Sequence, residues 1–220
     1  MSRPVPRVFL IRHGETEWSL NGRHTGRTDI PLTPRGVEQV KQVAKVLVGP
    51  GKLIDPSNLC TVFVSPRQRA HKTFHLLFEH SAELPHHILT EDAREWDYGD
   101  YEGLLSSEIK KSDPSWTIWT NGCPGGESVE EMQDRVDDVI SQVVRKYHRE
   151  YYEEGKNTRD VMIVAHGHFT RVFITRWVNL PLANGTLLNA EPVGVAVLSY
   201  NHKSLDEPCL NALNISAAIN

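Results

Sequence analysis

"RVFLIRHGETEW" runs from Arg7 to Trp18. Its first five residues form a short apolar run rich in β-branched and aromatic side chains, the pattern of a buried strand. The run ends on Arg12 and His13 side by side, with Gly14 behind them. A chain that only needed to turn could use Gly and Asn. It would have no use for a cation and an imidazole at the end of a strand.

Two further apolar runs end in the same way. Leu59 to Val64 (LCTVFV) is followed by Ser65-Pro66-Arg67-Gln68-Arg69-Ala70, and Val161 to Ala165 (VMIVA) by His166-Gly167-His168. Val193 to Tyr200 reads as a fourth strand, and Ile88-Leu89 as part of a short one. Helical spacing alternates with these runs. Thr33-Pro34 opens a helix with a hydroxyl N-cap and proline at N1, and Val37, Val40, Val43/Ala44 and Leu47 give it an apolar face. Arg67 to Phe78, Glu127 to Tyr152 and Phe169 to Val178 follow the same period. Ser19 to Pro34 reads as an ordered loop.

Strands that are apolar end to end, alternating with helices, predict an α/β fold: a single domain over residues 1–220 with a mostly parallel central sheet and helices on both faces. No repeat or linker divides the chain. Pro50-Gly51 and Lys111 to Gly126 read as surface excursions, the second placed to cover a site, and residues 216–220 as a loose tail.

A net charge of -4 and a pI near 6.3 argue against broad binding to nucleic acid or to anionic membranes. No apolar run reaches the roughly 20 residues that span a bilayer, and MSRPVPR lacks the apolar core of a secretory signal. Three cysteines without CxxC spacing fit a reducing compartment, so the expected address is the cytosol. A metal site would need carboxylate and histidine ligands at recognisable spacing, and His166-Gly167-His168 stands without such partners, so neither a metal nor a cofactor is expected. Assembly as a homo-oligomer stays open.

Ligands in open α/β sheets bind beyond the carboxyl ends of the strands. Strands lying side by side would bring two histidines and one or two arginines into one pocket. A neutral imidazole there can attack phosphorus, while guanidinium forks match phosphoryl oxygens and stabilise the charge spread over them. A leaving alkoxide needs a proton, and "REWDYGDYEG" (Arg94 to Gly103) offers Glu95, Asp97, Asp100 and Glu102 as sources.

Arg12-His13-Gly14-Glu15-Thr16, with Arg69-Ala70, Glu95 and Ala165-His166-Gly167, resembles the histidine phosphatase superfamily in its phosphoglycerate-mutase-like branch. The secreted acid-phosphatase branch typically reads RHGxRxP, a pattern that Arg12 to Trp18 (RHGETEW) does not follow beyond RHG. The resemblance runs from Val8 to about Leu210. Within the branch, "RHGETEWSLNGRHTGRTDIPLTPRG", "REWDYGDYEG", "AHGHFTR" and "VLSYNHKSLDEP" look most like fungal sedoheptulose-1,7-bisphosphatase-type sugar phosphatases.

The resemblance implies a metal-independent phosphatase acting on a small sugar mono- or bisphosphate. His13 would be the nucleophile, with Arg12, Arg69 and His166 completing the phosphate pocket and Glu95 donating the proton. Ser19, His24, Thr25, Gly167, His168 and Arg171 would contact substrate, whereas Arg67 lies one step off the matching arginine. A shorter Leu180–Val193 segment and a compact Lys111–Gly126 segment weigh against a seven-carbon bisphosphate. The alternative of a mutase calls for extra arginines, yet Lys110 and Lys111 are the only cations between Gly103 and Glu127. A metallohydrolase and a non-catalytic binding protein of the same fold are the remaining classes.

Overall fold

The computed structural model describes residues 3–156 and 158–217. In chain order it builds β1 (Val8–Arg12), α1 (Glu17–Asn21), α2 (Pro34–Leu47), β2 (Leu59–Val64), α3 (Gln68–Leu77), β3 (His87–Leu89), α4 (Ser106–Ser112) and α5 (Ile118–Asn121). There follow α6 (Val129–Gln142), a π-helical stretch (Val143–His148), α7 (Arg149–Tyr152), β4 (Asp160–Ala165), α8 (Gly167–Trp177), β5 (Val195–Tyr200) and β6 (Pro208–Ile215).

The six strands pair in the order β3-β2-β4-β1-β5-β6. β1, β2, β3 and β4 run parallel, while β5 lies antiparallel to both β1 and β6. The expected mostly parallel sheet is therefore present, with an antiparallel pair added on one side.

Alternation along the strands feeds two cores. Val8 and Leu10 of β1, with Val161 and Ile163 of β4, pack on the side of α6 and α8. Phe9 and Ile11, with Met162 and Val164, pack on the side of α2 and α3. Each such side chain, fully buried, contributes about 1.5–3 kcal/mol of transfer free energy. Both faces of the central strands are thus covered, which is why they read as continuous apolar runs.

Local chemistry sets the helix starts. The Thr33 hydroxyl accepts from the Gly36 amide at 2.9 Å, and Pro34 occupies the first helical position of α2. Ser128 and Glu131 form a reciprocal capping box at the start of α6.

Four segments depart from the sequence expectation. Part of the Ser19–Pro34 loop is helical, because Thr16 and Ser19 cap each other and start α1. Lys111 to Gly126 is a surface excursion only in part: Lys111, Ser112 and Pro114 are exposed, but Trp116, Ile118, Trp119 and Cys123 are all buried. The helix over Glu127 to Tyr152 passes through a π-helical stretch, Val143–His148. β6 was not anticipated, since an edge strand with every residue at least partly exposed carries no continuous apolar run. Of the expected tail, Ser216 and Ala217 lie outside β6, and residues 218–220 fall outside the described residues. Among the described residues no helix is long and apolar enough to cross a membrane.

Candidate active site

The parallel register gathers three strand ends at one edge of the sheet. Arg12 pairs with Ala165, and Val64 with Val164. The ladder extends one step further, with the His13 amide donating to Ala165 O at 3.0 Å and the Ser65 amide to Val164 O at 3.1 Å. His13, Ser65 and His166 are consequently neighbours although 153 residues separate the first from the last.

The edge opens into a cleft of about 640 Å³. Arg12, His13, Ser19, His24, Thr25, Glu95, Gly167, His168 and Arg171 line it. Arg69 and His166 are fully buried beside it. Arg67 does not line the cleft and pairs with Glu91 at 3.0 Å.

His13 is oriented by its own backbone. Its Nδ1–H donates to the Gly14 carbonyl at 2.7 Å, which leaves Nε2 with the free lone pair. Burial, then the charges of Arg69 and Arg12, push its pKa well below the ordinary histidine value. His166 is pushed down in the same direction by burial and by Arg69, with one ring nitrogen, Nε2, bonded to Ser65 Oγ at 2.8 Å. Both rings are therefore neutral at pH 7.

The donors around His13 are buried and not all engaged. Arg12 Nη1 donates to Ala190 O at 2.7 Å, and Arg69 donates to the carbonyls of Thr28, Thr25 and Gly26 at 2.9, 2.9 and 3.2 Å. Arg12 Nε, Arg69 Nε and His166 Nδ1 have no partner. Three buried, unpaired polar nitrogens in one place are costly in a resting protein and suit a site for an oxyanion.

Of the four carboxylates in "REWDYGDYEG", Glu95 alone lines the cleft. Its Oε1 accepts from the Trp96 and Phe169 amides at 3.0 and 2.9 Å, and its Oε2 from the His168 amide at 3.0 Å. Two of these donors belong to the first turn of α8. Asp97 pairs with Arg27, and Glu102 holds the Gly26 and Thr28 amides. A Cβ built at Gly167 would lie 3.4 Å from Arg12 Nε and 3.7 Å from Glu95 Oε2, so that guanidinium and that carboxylate flank one point of backbone.

Behind Glu95, Glu127 accepts from Arg135 at 2.7 Å and from Arg94 at 2.8 Å. Burial pushes Glu127 up, but the bonds and charge of Arg135 and its neighbours hold it below the usual carboxylate range. Arg135 also donates to the carbonyls of Asp92 and Arg94, so this buried cluster fixes the segment that carries Glu95.

The far end of the cleft is aromatic. His24 stacks on Tyr98 with centroids 4.6 Å apart, and the Tyr98 hydroxyl bonds His168 Nδ1 at 2.7 Å. Arg171 lies over the Trp119 ring at 4.4 Å and donates to Gly185 O at 2.9 Å. Trp18, Trp116, Trp119, Tyr98 and Lys110 also line the cleft without having been singled out from the sequence. The signal was present in "WTIW", Trp116 to Trp119, three large apolar side chains in four positions.

Gly14 follows His13 directly at the end of β1. A Cβ there would meet Gly36 O of α2 at 2.8 Å, so the glycine admits a helix and not a ligand. Val193 is held at φ 58°, a conformation costly for a β-branched residue. Its amide donates to Arg12 O at 3.1 Å, tying the 189–194 loop to the strand end. Among the described residues no group of three or more His, Cys, Asp or Glu side chains could hold a metal ion.

Comparison with known proteins gives the family. An acid phosphatase of Mycobacterium tuberculosis is 41% identical, the match covering 89% of this chain and 87% of that protein. The sedoheptulose 1,7-bisphosphatase of Saccharomyces cerevisiae is 32% identical over 94% of this chain and 92% of its own. A solved structure of an open reading frame product from Mycobacterium tuberculosis superposes with a TM-score of 0.81 at 36% identity, covering 97% of this chain and 99% of that one. The family model described as histidine phosphatase superfamily (branch 1) matches residues 8–212, and the chain belongs to that superfamily as a phosphatase.

Proposed function

We propose that the enzyme hydrolyses a small sugar phosphate through a phosphohistidine on His13. The observation that carries the reading is the fixed tautomer of His13, with Nδ1–H tied to Gly14 O and Nε2 presented among the unpaired nitrogens of Arg12, Arg69 and His166. Nε2 attacks phosphorus while the bond to the leaving oxygen breaks. The three nitrogens take the equatorial oxygens and the charge they carry. Glu95 gives a proton to the leaving alkoxide, then accepts one from the water that breaks the P–N bond.

The substrate class follows from the rest of the cleft. Aromatic faces of Trp18, Trp116 and Trp119, with polar groups on His24, Thr25, His168 and Arg171, suit the apolar face and hydroxyls of a compact polyol. The matched stretch of the yeast bisphosphatase, 251 residues, is longer than this whole chain, which supports a smaller substrate than a seven-carbon bisphosphate. The three unpaired cysteines, Cys60, Cys123 and Cys209, support a reducing cytosolic setting, and the acidic balance supports small-molecule substrates over nucleic acid or membrane.

A phosphate-release screen over three- to seven-carbon sugar mono- and bisphosphates, without added metal, tests this reading. A sugar monophosphate of three to six carbons should be the preferred substrate. Isomer exchange of phosphoglycerates faster than phosphate release would instead make the enzyme a mutase, as some relatives about 30% identical are named. Activity abolished by EDTA and restored by a divalent ion would reject the metal-free mechanism.

A further inference from the structure

Away from the cleft, α3 carries a second arrangement of imidazoles. His71 and His75 stand four residues apart, one above the other on the same helix face. Their Nε2 atoms face each other at 3.0 Å and their ring centroids lie 4.5 Å apart. Both side chains are half-buried and open to solvent. Neither contacts the reacting groups, and neither lines the cleft.

That 3.0 Å separation has a chemical meaning. Two nitrogens each about 2.1 Å from one ion, and at right angles about it, lie about 3.0 Å apart; at a tetrahedral angle they would lie about 3.4 Å apart. A hydrogen bond sets this separation in the metal-free protein, and it coincides with the bite of an ion that prefers right-angle geometry. Tetragonal sites with nitrogen and oxygen ligands are those of Cu2+ and Ni2+.

We propose that His71 and His75 chelate a divalent first-row transition ion, Cu2+ or Ni2+, at a site on α3 separate from the active site. Both rings ligate through Nε2. In the metal-free protein one Nε2–H donates to the other lone pair, so that ring's proton must move to its Nδ1 when the ion enters. No net proton or electron is lost.

No third His, Cys, Asp or Glu among the described residues completes a larger set, so water fills the remaining positions. His87 of β3 borders the site, 6.4 Å from His75 between ring centroids, with its Nδ1 bonded to Pro85 O.

The test uses the full chain without a histidine tag, stripped with EDTA and dialysed. Calorimetric titration with Ni2+ should give one ion per chain, and the Cu2+ electron paramagnetic spectrum should show coupling to two imidazole nitrogens. His71→Gln and His75→Gln should each weaken binding by about tenfold or more. Both variants should keep wild-type phosphatase turnover and an unchanged thermal midpoint without metal. His166→Gln, in the cleft, should bind Ni2+ as the wild type does. Unaltered binding in both α3 variants, loss of binding in His166→Gln, or no binding by the wild type would each overturn the proposal.

Discussion

The imidazole of His166 stands edge-on to that of His13, with centroids 5.1 Å apart and planes inclined at 64°. Two protonated rings at that distance would repel each other inside a cluster of guanidinium groups. Both are kept neutral by burial and by Arg69. One neutral ring has its lone pair free for attack, and the other presents an unpaired Nδ1 beside it.

His13→Ala is expected to lower kcat by about a thousandfold or more and to abolish the acid-labile phosphoenzyme. Rapid quench with labelled substrate reads both. A variant that still traps phosphate on the protein would move the nucleophile elsewhere.

The pH profile should show the same neutrality. An ordinary histidine loses its nucleophilic form as the pH falls through about 6.5. With the His13 value pushed well below that, kcat/KM should hold through pH 6.5 once the substrate's own second ionisation near pH 6 is divided out. An acid limb at 6.5 or above would contradict the burial argument.

Glu95→Gln should slow the hydrolysis of alkyl phosphates by about a hundredfold or more, and that of p-nitrophenyl phosphate far less, since nitrophenolate leaves with little help. The amide oxygen can still accept from the Trp96 and Phe169 amides, so the segment should stay in place. Equal losses on both substrates would remove Glu95 from the proton-donor role.

Arg69→Lys should cost nearly as much as Arg69→Ala, about a hundredfold or more in kcat/KM. An ammonium cannot hold the carbonyls of Thr25, Gly26 and Thr28 and face the site as well. Near-normal activity in the lysine variant would show that charge alone suffices.

Stability should weaken in acid through His148, which is fully buried with Nδ1 bonded to the Tyr200 hydroxyl at 2.7 Å. Burial pushes it down to about 4. The unfolded chain takes up this proton near pH 6.5 and the folded one only near 4, so stability present at pH 7 is lost as the pH falls between them. By pH 5 the loss from this group is about 2 kcal/mol. His148→Gln keeps an acceptor for Tyr200, and its urea midpoint should fall less between pH 7 and pH 5. Equal falls in both proteins would sink the assignment.

The strands that carry the site were legible because burial on both faces leaves β1, β2 and β4 as uninterrupted apolar runs. Their ends were legible because charged residues there have no structural excuse. What escaped depended on distant partners. Spacing does not separate Glu95 from Asp97, Asp100 and Glu102; the family resemblance does, and the physical distinction lies in amides from Phe169 and His168, over 70 residues away. Trp116 and Trp119 read as part of a surface excursion because their burial depends on packing from elsewhere in the chain. β6 is an edge strand, and its half-exposed sequence carries no period that a run-based reading detects.

Arg69 has a further bearing on how the enzyme diversifies. It grips the 25–28 loop by carbonyl oxygens alone, so the main chain there is pinned while the side chains of His24 and Thr25 remain outside its grasp. Side chains at positions 24 and 25 can therefore be exchanged without loosening the clasp beside His13. Changes there would reshape the mouth of the cleft and leave its buried nitrogens where they stand.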